Sequence, residues 1–206
     1  MPRPEPIILT ITEGGQPTAR TIADLLGAEI HSPGPGVTDH IRALFAAGVP
    51  LVGVCAAGIL IRTLGPVLSD KWAEPPVIAV AEDGSSVVPL LGGHHGANAL
   101  ARRIAGALGG SAAITTAGDL ALGTALDAPP EGWILENPLD AKPVAAALLS
   151  GADGTLTGSA PWLDALPERI AREAGAPGDP TVLRTGPHAL IYRAQDYALG
   201  VGCARG

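Results

Sequence analysis

The chain has few aromatic residues and only two cysteines, and each shortage excludes a class of protein. Phe, Trp and Tyr make up 3% of its 206 residues, so a hydrophobic core must be built from Ala, Val, Leu and Ile, as in helices layered on a parallel sheet. Neither Cys55 nor Cys203 has a second cysteine at metal-ligand spacing, and a disulfide framework needs more cysteines. We interpret both as reduced thiols.

The sequence also lacks a long apolar run and a basic excess. No stretch approaches the roughly 18 uninterrupted apolar residues of a membrane span, and the N-terminus has no signal-peptide pattern. The net charge of −7 argues against a general nucleic-acid-binding protein, whose basic residues gather on one face. We therefore expect a cytoplasmic protein with neither a nucleic-acid nor a membrane partner, and its 47% hydrophobic content is enough to bury a core.

Apolar runs alternate with helical patterns along residues 1–126, which is typical of an α/β fold. Strands are predicted at 6–12, 28–31, 50–56, 77–80, 87–91 and 112–116. Helices are predicted at 18–26, 38–47 and 99–108. A hairpin-like turn at 82–85 joins two of the strands. We predict a layered domain with a mostly parallel sheet flanked by helices.

The stretch 127–132 is rich in proline and predicts a linker to a second, smaller α/β domain at 133–197. Strands are predicted there at 133–136, 155–157, 181–184 and 189–193, and helices at 142–149 and 163–174. Residues 198–206 have the pattern of a strand followed by the start of a glycine loop. We interpret them as the remnant of a third domain that is truncated, lost or carried on another chain.

The most informative segment, 58–119, keeps its polar and glycine residues at predicted strand ends, where α/β proteins bind ligands. Two histidines flanked by glycines join the strand at 87–91 to the helix at 99–108: Gly92, Gly93, His94, His95 and Gly96. Asn98 is well placed to cap that helix. Glycine permits positive φ angles, and a helix start presents N–H groups that favour an anion. The alternative is an ordinary turn with solvated histidines.

Five ordered motifs occupy this segment: Gly58-Ile59-Leu60-Ile61-Arg62, Pro66, Asp70-Lys71-Trp72-Ala73-Glu74-Pro75, the run from Leu90 to Ala101, and Thr115-Thr116-Ala117-Gly118-Asp119. Together they resemble the CbiG family of cobalamin biosynthesis, the cobalt-precorrin-5A hydrolases. Three positions depart from the family pattern. The family usually has two glycines after the histidine and its neighbour, whereas here Gly96 is followed directly by Ala97. Glu74 replaces a common Asp, and Gly118 replaces a usual Thr. Residues 133–197 are similar in texture to the family's middle domain, and 199–206 to the opening of its CobE-like C-terminal domain.

The resemblance implies hydrolysis of the δ-lactone of cobalt-precorrin-5A, or of a related precorrin, with release of acetaldehyde. It implies no hydrolytic metal and no cofactor of the protein's own, since cobalt would be carried by the substrate. Implied partners are the precorrin substrate, a corrin-pathway methyltransferase or a CobE-like protein, and a homodimer is compatible with it. The alternative is a non-catalytic domain that binds or transfers a corrinoid intermediate. A nucleotide-binding module is a third interpretation, but both common phosphate-binding motifs are missing.

Three residues are the catalytic candidates. His94 occupies the family's histidine position and is the expected general base, because an imidazole with a pKa of about 6.5 accepts a proton at neutral pH. His95 is a second candidate base, or a loop residue that points to solvent. Lys71 would polarise the lactone carbonyl or bind a carboxylate arm, and its alternative is a salt bridge with Glu74.

The other candidates would bind the substrate. Arg62 is interpreted as the end of a buried strand, where its guanidinium would hold a carboxylate or pair with Asp70 or Asp119. Backbone N–H groups of Gly93, Gly96 and the helix start at Asn98 would form an oxyanion site. Thr115, Thr116 and Asp119 would line the same cleft or cap the next helix, and the resemblance adds Glu74 and Gly92. Cys55 is interpreted as a core thiol, with an acyl-enzyme at this residue as the minor alternative.

Overall fold

The computed structural model describes residues 4–130 and 132–195, and they form two compact units. Unit 1 spans Met1–Ile114 and unit 2 spans Thr115–Gly206. Within the described residues, no helix is both long and apolar enough to cross a membrane. Each unit has its own sheet and its own hydrophobic core. The residues 198–206, interpreted as a third-domain remnant, lie outside the described part of the chain.

Unit 1 is a six-stranded sheet flanked by four helices. Its strands are β1 (Ile7–Thr10), β2 (Glu29–His31), β3 (Leu51–Val54), β4 (Val77–Val80), β5 (Ser86–Leu91) and β6 (Ser111–Ala112). Its helices are α1 (Gln16–Leu26), α2 (Val37–Ala46), α3 (Ala57–Leu64) and α4 (Ala97–Leu108). The strand order is β2-β1-β3-β4-β5-β6. The predicted α/β layering is therefore confirmed.

The sheet of unit 1 is parallel except at the β4–β5 hairpin. In that hairpin Val77 at the start of β4 pairs with Leu91 at the end of β5. The pairs β1–β2, β1–β3, β3–β4 and β5–β6 are parallel. Because β5 runs against β4, the carboxyl end of β5 lies at the edge where β1, β3 and β4 begin. We call this edge the amino edge, and the opposite one the carboxyl edge.

Alternating strand residues build a core on each face of this sheet. Ile8, Val52 and Ile78 belong to the cluster that contains Ile22 of α1 and Ile104 of α4. Their sequence neighbours Leu9, Leu51 and Val77 belong to the other cluster, with residues of α2 and α3. This is the alternation of period two that a strand covered on both sides requires. Helices therefore cover both faces, and the edges of the sheet are left for loops.

The segment that contains Arg62 is a helix, and its interpretation as the end of a strand is wrong. A short apolar run such as 58–62 fits a buried strand or a helix equally well by composition. In α3 the buried residues are Leu60, Thr63 and Leu64, at the three- and four-residue spacing of one helix face. Ile61, between them, is 57% exposed. The 3.6-residue period of burial thus decides in favour of the helix.

Unit 2 is a five-stranded sheet with two helices. Its strands are β7 (Trp133–Leu135), β8 (Gly154–Thr157), β9 (Ile170–Glu173), β10 (Thr181–Thr185) and β11 (His188–Ala194). Its helices are α5 (Ala117–Leu122) and α6 (Ala141–Leu149). The strand order is β7-β11-β10-β8-β9, antiparallel except for the pair β8–β9. A smaller α/β unit was predicted here, and the mixed layout agrees with that prediction.

One predicted helix in unit 2 is wrong. Residues 163–174 begin at the last residue of a short 3-10 turn, Pro161–Leu163, and contain the strand β9 instead of a helix. Pro167 interrupts the helical pattern, because proline removes a backbone donor inside a helix. Ile170 is buried at the start of β9, which pairs with β8. Strand pairing therefore overrides the local helical preference of this segment.

The division between the units falls after Ile114, earlier than the linker predicted at 127–132. Leu122 and Leu126 are 1% and 3% exposed and belong to the core cluster of unit 2. The hydroxyl of Tyr192 in β11 donates a hydrogen bond to the carbonyl oxygen of Leu126 at 2.8 Å. Burial of these two leucines joins residues 115–126 to the second unit.

We predict that Leu122→Ala destabilises unit 2 by about 2–4 kcal/mol, because it removes a fully buried side chain and leaves a cavity. The matched control is Leu120→Ala on the same helix, whose side chain is 69% exposed. In a Trp72→Phe background the fluorescence of Trp133 and Trp162 reports on unit 2 alone, and urea unfolding can be followed by it. An unchanged transition in the Leu122 variant would contradict the division after Ile114.

Candidate functional site

Two of the motifs meet at the amino edge of unit 1. A 3-10 turn, Gly93–His95, follows β5, and we call it the histidine turn. The residues 70–72 follow α3. The imidazole of His94 stacks on the indole of Trp72, with ring centroids 4.1 Å apart and planes 24° from parallel. The structure therefore brings together segments that are more than twenty residues apart in sequence.

The side chain of His95 is bonded to the backbone of the same tryptophan. Its Nε2 lies 2.8 Å from the carbonyl oxygen of Trp72. A carbonyl oxygen only accepts hydrogen bonds, so Nε2 of His95 must carry the proton and donate it. His95 is half-buried and bound to Trp72. The interpretation of His95 as a residue that merely points to solvent is therefore wrong.

Lys71 lies against the indole of Trp72, on which His94 is stacked. Its ammonium Nζ is 5.0 Å from the centroid of the Trp72 ring, which is a cation–π distance. Within the described residues, the alternative salt bridge of Lys71 with Glu74 is not formed. The ammonium and the imidazole of His94 thus both lie within 5.0 Å of one indole centroid. Trp72 is the residue that both catalytic candidates, His94 and Lys71, contact.

Asp70 shapes the turn that presents Trp72. Its carboxylate Oδ1 accepts a hydrogen bond from the backbone N–H of Trp72 at 3.0 Å. Its carbonyl oxygen accepts bonds from the N–H groups of Ala73 and Glu74 at 2.9 and 3.2 Å. Asp70 therefore has a local structural role, and Glu74 lies half-buried at the end of the same turn.

Gly92 lets the histidine turn approach the start of β4. Its φ is +74°, and a Cβ added there would lie 2.5 Å from the backbone nitrogen of Pro76. No side chain fits that space, and the left-handed backbone is itself costly for residues other than glycine. Gly93, the next residue, has nothing within 4 Å of an added Cβ. The two neighbouring glycines therefore have different roles.

Much of the backbone of this turn is bonded within the turn. The N–H groups of His95 and Ala97 donate to the carbonyl oxygen of Gly92 at 2.9 and 3.1 Å, and that of Gly96 donates to Gly93 at 3.2 Å. The predicted use of the Gly96 N–H for an oxyanion thus competes with an existing bond.

Asn98 is buried in the first turn of α4, whose N-cap is Gly96, so the prediction that Asn98 caps the helix is wrong. The left-handed Gly96 starts the helix two residues earlier.

Arg62 is exposed on α3. Its Nη1 donates a hydrogen bond to the carbonyl oxygen of Gly58, one turn earlier in the same helix, at 3.2 Å. This single bond leaves the other guanidinium N–H groups to solvent or a ligand. Arg62 is therefore suited to binding an anion, although it comes from a helix and not from a strand end.

Comparison with known proteins identifies this region. Residues 39–119 match the family model described as cobalamin synthesis G N-terminal. These residues are similar to the N-terminal part of the CbiG family. The recognition of that family from the sequence motifs is confirmed by this match. The histidine turn, Trp72, Lys71 and Arg62 all lie inside the CbiG segment, as we call residues 39–119.

Two curated relatives extend the likeness beyond the CbiG segment. A cobalt-precorrin-5A hydrolase of Salmonella typhimurium is 36% identical over 138 residues, which cover 61% of this chain and 39% of the relative. A cobalt-precorrin-5A hydrolase of Priestia megaterium is 28% identical over 195 residues, which cover 81% and 51%. The chain thus spans about two fifths of the length of the first relative and about half of the length of the second. A cobalamin biosynthesis protein G homologue from Sulfolobus solfataricus has a TM-score of 0.46 and 22% identity, covering 80% of this chain and 51% of that one.

The last motif of the CbiG segment starts helix α5 in unit 2. Thr116 is the N-cap residue, and its hydroxyl donates to Oδ2 of Asp119 at 2.7 Å. Asp119 is 7% exposed and Thr115 is exposed. The placement of Thr116 agrees with the alternative that this motif shapes a helix start. Membership of Thr115, Thr116 and Asp119 in the site around His94 stays a prediction.

Cys55 lies just before the CbiG motif of α3, at the carboxyl edge. It is 5% exposed, and burial together with the nearby Glu82 carboxylate raises its pKa from 9.0 to about 11. Little thiolate is then present at neutral pH, and the thiolate is the nucleophilic form. These facts favour the core thiol over the acyl-enzyme alternative.

Trp72 is the residue of the CbiG segment whose role the sequence analysis missed. It was quoted within a motif without any function, yet it groups His94, His95 and Lys71. One signal was available, because the chain contains only three tryptophans and this one lies among charged residues in a loop. Tryptophan combines a large apolar ring with an N–H donor, so a tryptophan in a polar loop is a candidate for contacts with other side chains or a ligand.

We predict that Gly92→Ala destabilises unit 1 by more than about 2 kcal/mol, because the new Cβ meets the Pro76 backbone and the positive φ is unfavourable. Gly93→Ala is the matched control and should change stability by less than about 1 kcal/mol. Urea unfolding followed by circular dichroism measures both. Equal stability of the two variants would show that the turn does not pack against Pro76.

The raised pKa of Cys55 predicts a pH-dependent stability. Below pH 9 the thiol is protonated in both states, so it contributes no pH dependence. As the pH rises from 9 towards 11 the unfolded thiol ionises first, and the free energy of unfolding should fall by up to about 2 kcal/mol. Urea unfolding between pH 8 and 11 should show this fall in the wild type but not in Cys55→Ala, while other groups affect both proteins equally. The same fall in the variant would contradict the assignment.

Proposed function

We propose that the protein acts in corrin ring biosynthesis, as a hydrolase that opens the δ-lactone of a cobalt-precorrin or a closely related precorrin. The observation that carries this proposal is the grouping of His94 and Lys71 around the Trp72 indole. That group lies inside the CbiG segment, and both curated relatives are named cobalt-precorrin-5A hydrolases. The protein would use no cofactor of its own, and any cobalt would arrive as part of the substrate.

His94 is the general base in this proposal. Hydrolysis of a lactone needs a group that takes a proton from water while the water oxygen attacks the acyl carbon. His95 donates its Nε2–H to the Trp72 carbonyl, so that nitrogen does not accept a proton from water. His94 instead has its ring held by stacking, which fixes its orientation while its edge carries the nitrogens. We assign the base to His94 because it occupies the family's histidine position, and a holding role to His95 because its Nε2–H is bonded to the Trp72 carbonyl.

Lys71 is the proposed stabiliser of the tetrahedral oxyanion. Attack on the carbonyl places negative charge on its oxygen, and a nearby ammonium stabilises that charge. The bonds that Gly96 and Ala97 already make within the turn leave a larger share of this task to Lys71. Collapse of the intermediate breaks the acyl–oxygen bond and leaves a carboxylate. Water supplies the hydroxyl of the new carboxyl group and a proton, and the ring oxygen of the lactone stays on the extruded carbon. The carbon–carbon bond between that carbon and the macrocycle then breaks, the macrocycle carbon takes up a proton, and the extruded carbon with its methyl group leaves as acetaldehyde.

Substrate carboxylates would be held by the exposed cation on α3. Arg62 uses one nitrogen for Gly58, and its remaining donors suit the planar fork of a carboxylate. Glu74, Thr115, Thr116 and Asp119 remain proposed substrate-binding residues. Gly92 and Gly93 would contribute through the position of the histidine turn.

The proposed setting is the cytoplasm, as for a biosynthetic enzyme with a polar, carboxylated substrate. A corrin-pathway methyltransferase, a CobE-like protein and a second copy of the chain are proposed as partners. A purely corrinoid-binding or transfer role is less favoured, because the names of both curated relatives are those of hydrolases.

Incubation with the lactone-bearing cobalt-precorrin tests the activity. The expected product has gained the elements of water, with or without loss of acetaldehyde, as mass spectrometry and an aldehyde assay would detect. Recovery of unchanged substrate bound to the protein would favour the binding role and contradict the hydrolase.

Paired histidine variants test the division of roles. His94→Gln should lower kcat by roughly 10²–10⁴-fold, the usual contribution of a general base. His95→Gln keeps a donor near the position of Nε2 and should lower kcat by less than about tenfold. Loss of activity in His95→Gln with retention in His94→Gln would reverse the assignment.

A further inference from the structure

Exposed apolar side chains are concentrated in one short stretch of the CbiG segment. Nine large hydrophobic side chains are exposed among the described residues, and five of them lie between residues 59 and 72: Ile59, Ile61, Val67, Leu68 and Trp72. Single exposed hydrophobic residues are ordinary, but a contiguous group on a folded protein marks a binding surface. This stretch runs from α3 to the turn that carries Trp72 and Lys71.

Part of that surface is a groove. It lies between α3 with the residues after it and the β4–β5 hairpin, has a volume of about 240 Å³, and is lined by aliphatic side chains and one glycine. Ile61, Leu64 and Leu68 form one wall, and Val77 and Leu91 belong to the other. The volume is below the roughly 300–1,000 Å³ of a typical small-ligand site. The groove therefore has room for the edge of a large ligand, and not for all of it.

The groove ends where the candidate catalytic residues begin. Val77 and Leu91 are paired across the hairpin and both line it. Gly92 follows Leu91 directly, and His94 is two residues further on. Arg62 follows Ile61 on the exposed side of α3, and Lys71 lies on Trp72. The lining of the groove thus ends, along β5, one residue before Gly92 and the histidine turn, and two cations lie on its flanking segments.

We propose that this groove binds the apolar edge of a carboxylated macrocycle, while Arg62 and Lys71 bind carboxylates at the periphery of that ligand. The inference rests on the proposed function for the identity of the ligand as a tetrapyrrole. Its residues are specificity determinants: Ile61 and Leu68 fix how the macrocycle sits, and the reacting lactone then lies at His94. None of these apolar residues takes part in the chemistry.

Charge favours this occupant over a second copy of the chain. Arg62 and Lys71 place positive charge on the segments that flank the groove, which complements an anionic rim. The groove is concave and narrow, whereas stable protein interfaces need about 800 Å² from each partner. A ligand with an apolar body and an anionic rim matches both the aliphatic walls and the two cations.

Binding of a metal-free carboxylated porphyrin tests the proposal without requiring turnover. Titration followed by porphyrin fluorescence gives a Kd for the wild type, Leu68→Asn and Ile61→Asn. Loss of apolar contact should raise the Kd by roughly tenfold or more, since even one methylene in such a pocket is worth 10-fold to 200-fold. The matched control is Leu139→Asn in unit 2, whose side chain is 93% exposed, and it should change the Kd less than about twofold.

Each other outcome has a definite meaning. A wild type that fails to bind the porphyrin, or Leu68→Asn with the affinity of Leu139→Asn, overturns the proposal. Circular dichroism and the urea midpoint verify that the groove variants are folded, as expected for residues already 41% and 57% exposed. If sedimentation shows that Leu68→Asn dissociates a dimer while porphyrin affinity is unchanged, a second copy occupies the groove and the proposal is wrong.

The failure of this inference is distinct from that of the proposed function. Groove-dependent porphyrin binding without hydrolysis of the lactone would contradict the hydrolase and leave the groove assignment intact. Hydrolysis with an unchanged KM in Leu68→Asn would support the enzyme and overturn the groove. The expected pattern is a raised KM with a nearly constant kcat, because the groove acts on binding and not on the chemical step.

Discussion

The close approach of Gly92 to the backbone of Pro75 and Pro76 determines where the candidate site lies. β5 runs against β4, so the loop after β5 returns to the amino edge of the sheet, next to the residues that start β4. Only a glycine allows the chain to turn there, with φ at +74° and no room for a Cβ. The histidines then face the segment that follows α3, because that helix also returns to the amino edge. This backbone contact thus sets the position of the histidine turn beside Trp72.

The opposite edge is the one that α/β sheets ordinarily use for ligands. In the order β2-β1-β3 the sheet reverses direction of winding between β1 and β3, and the crevice at their carboxyl ends is the common binding place. In this protein Glu82 takes up that space. The hydroxyl of Thr12 donates to its Oε1, and its Oε2 would lie 2.9 Å from a Cβ on Gly14, just before α1. The chain's own carboxylate occupies the place where a phosphate would sit, which disfavours the nucleotide-binding interpretation.

The sequence predicted most elements of unit 1 because their patterns are local. The valine-rich strands β4 and β5 and the Glu-Asp-Gly-Ser turn between them predict a hairpin without any tertiary information. α3 and β9 were misassigned for the opposite reason: each is a short segment whose state is decided by the surface against which it packs. Leu60 and Leu64 bury one face of α3, and β8 supplies the partner of β9. The division after Ile114 likewise depends on where Leu122 and Leu126 are buried.

The residues of the candidate site were likewise predictable only where their pattern is local. Motifs were enough to select His94, His95 and Lys71, since glycine frames and basic residues are visible in the sequence. The different contacts of the two histidines were not visible, because one of them is a hydrogen bond to the carbonyl of a residue 23 positions earlier. Trp72 was missed for the same reason, since its function consists of contacts with three other residues. Local sequence predicts which chemical groups are present, and tertiary contacts decide which of them face each other.

The contact of Lys71 with Trp72 also suggests how the site responds to a substrate. An exposed cation–π contact is worth about 0.5–1 kcal/mol, whereas a hydrogen bond from a charged group contributes about 1.5–3 kcal/mol. The ammonium is therefore held in place by an interaction weak enough to be exchanged for an oxyanion or a carboxylate. His94 is held by the same indole, so departure of Lys71 leaves the base in its stacked position. In the proposed reaction, Trp72 would keep His94 in its stacked position while Lys71 exchanges the indole for the developing oxyanion.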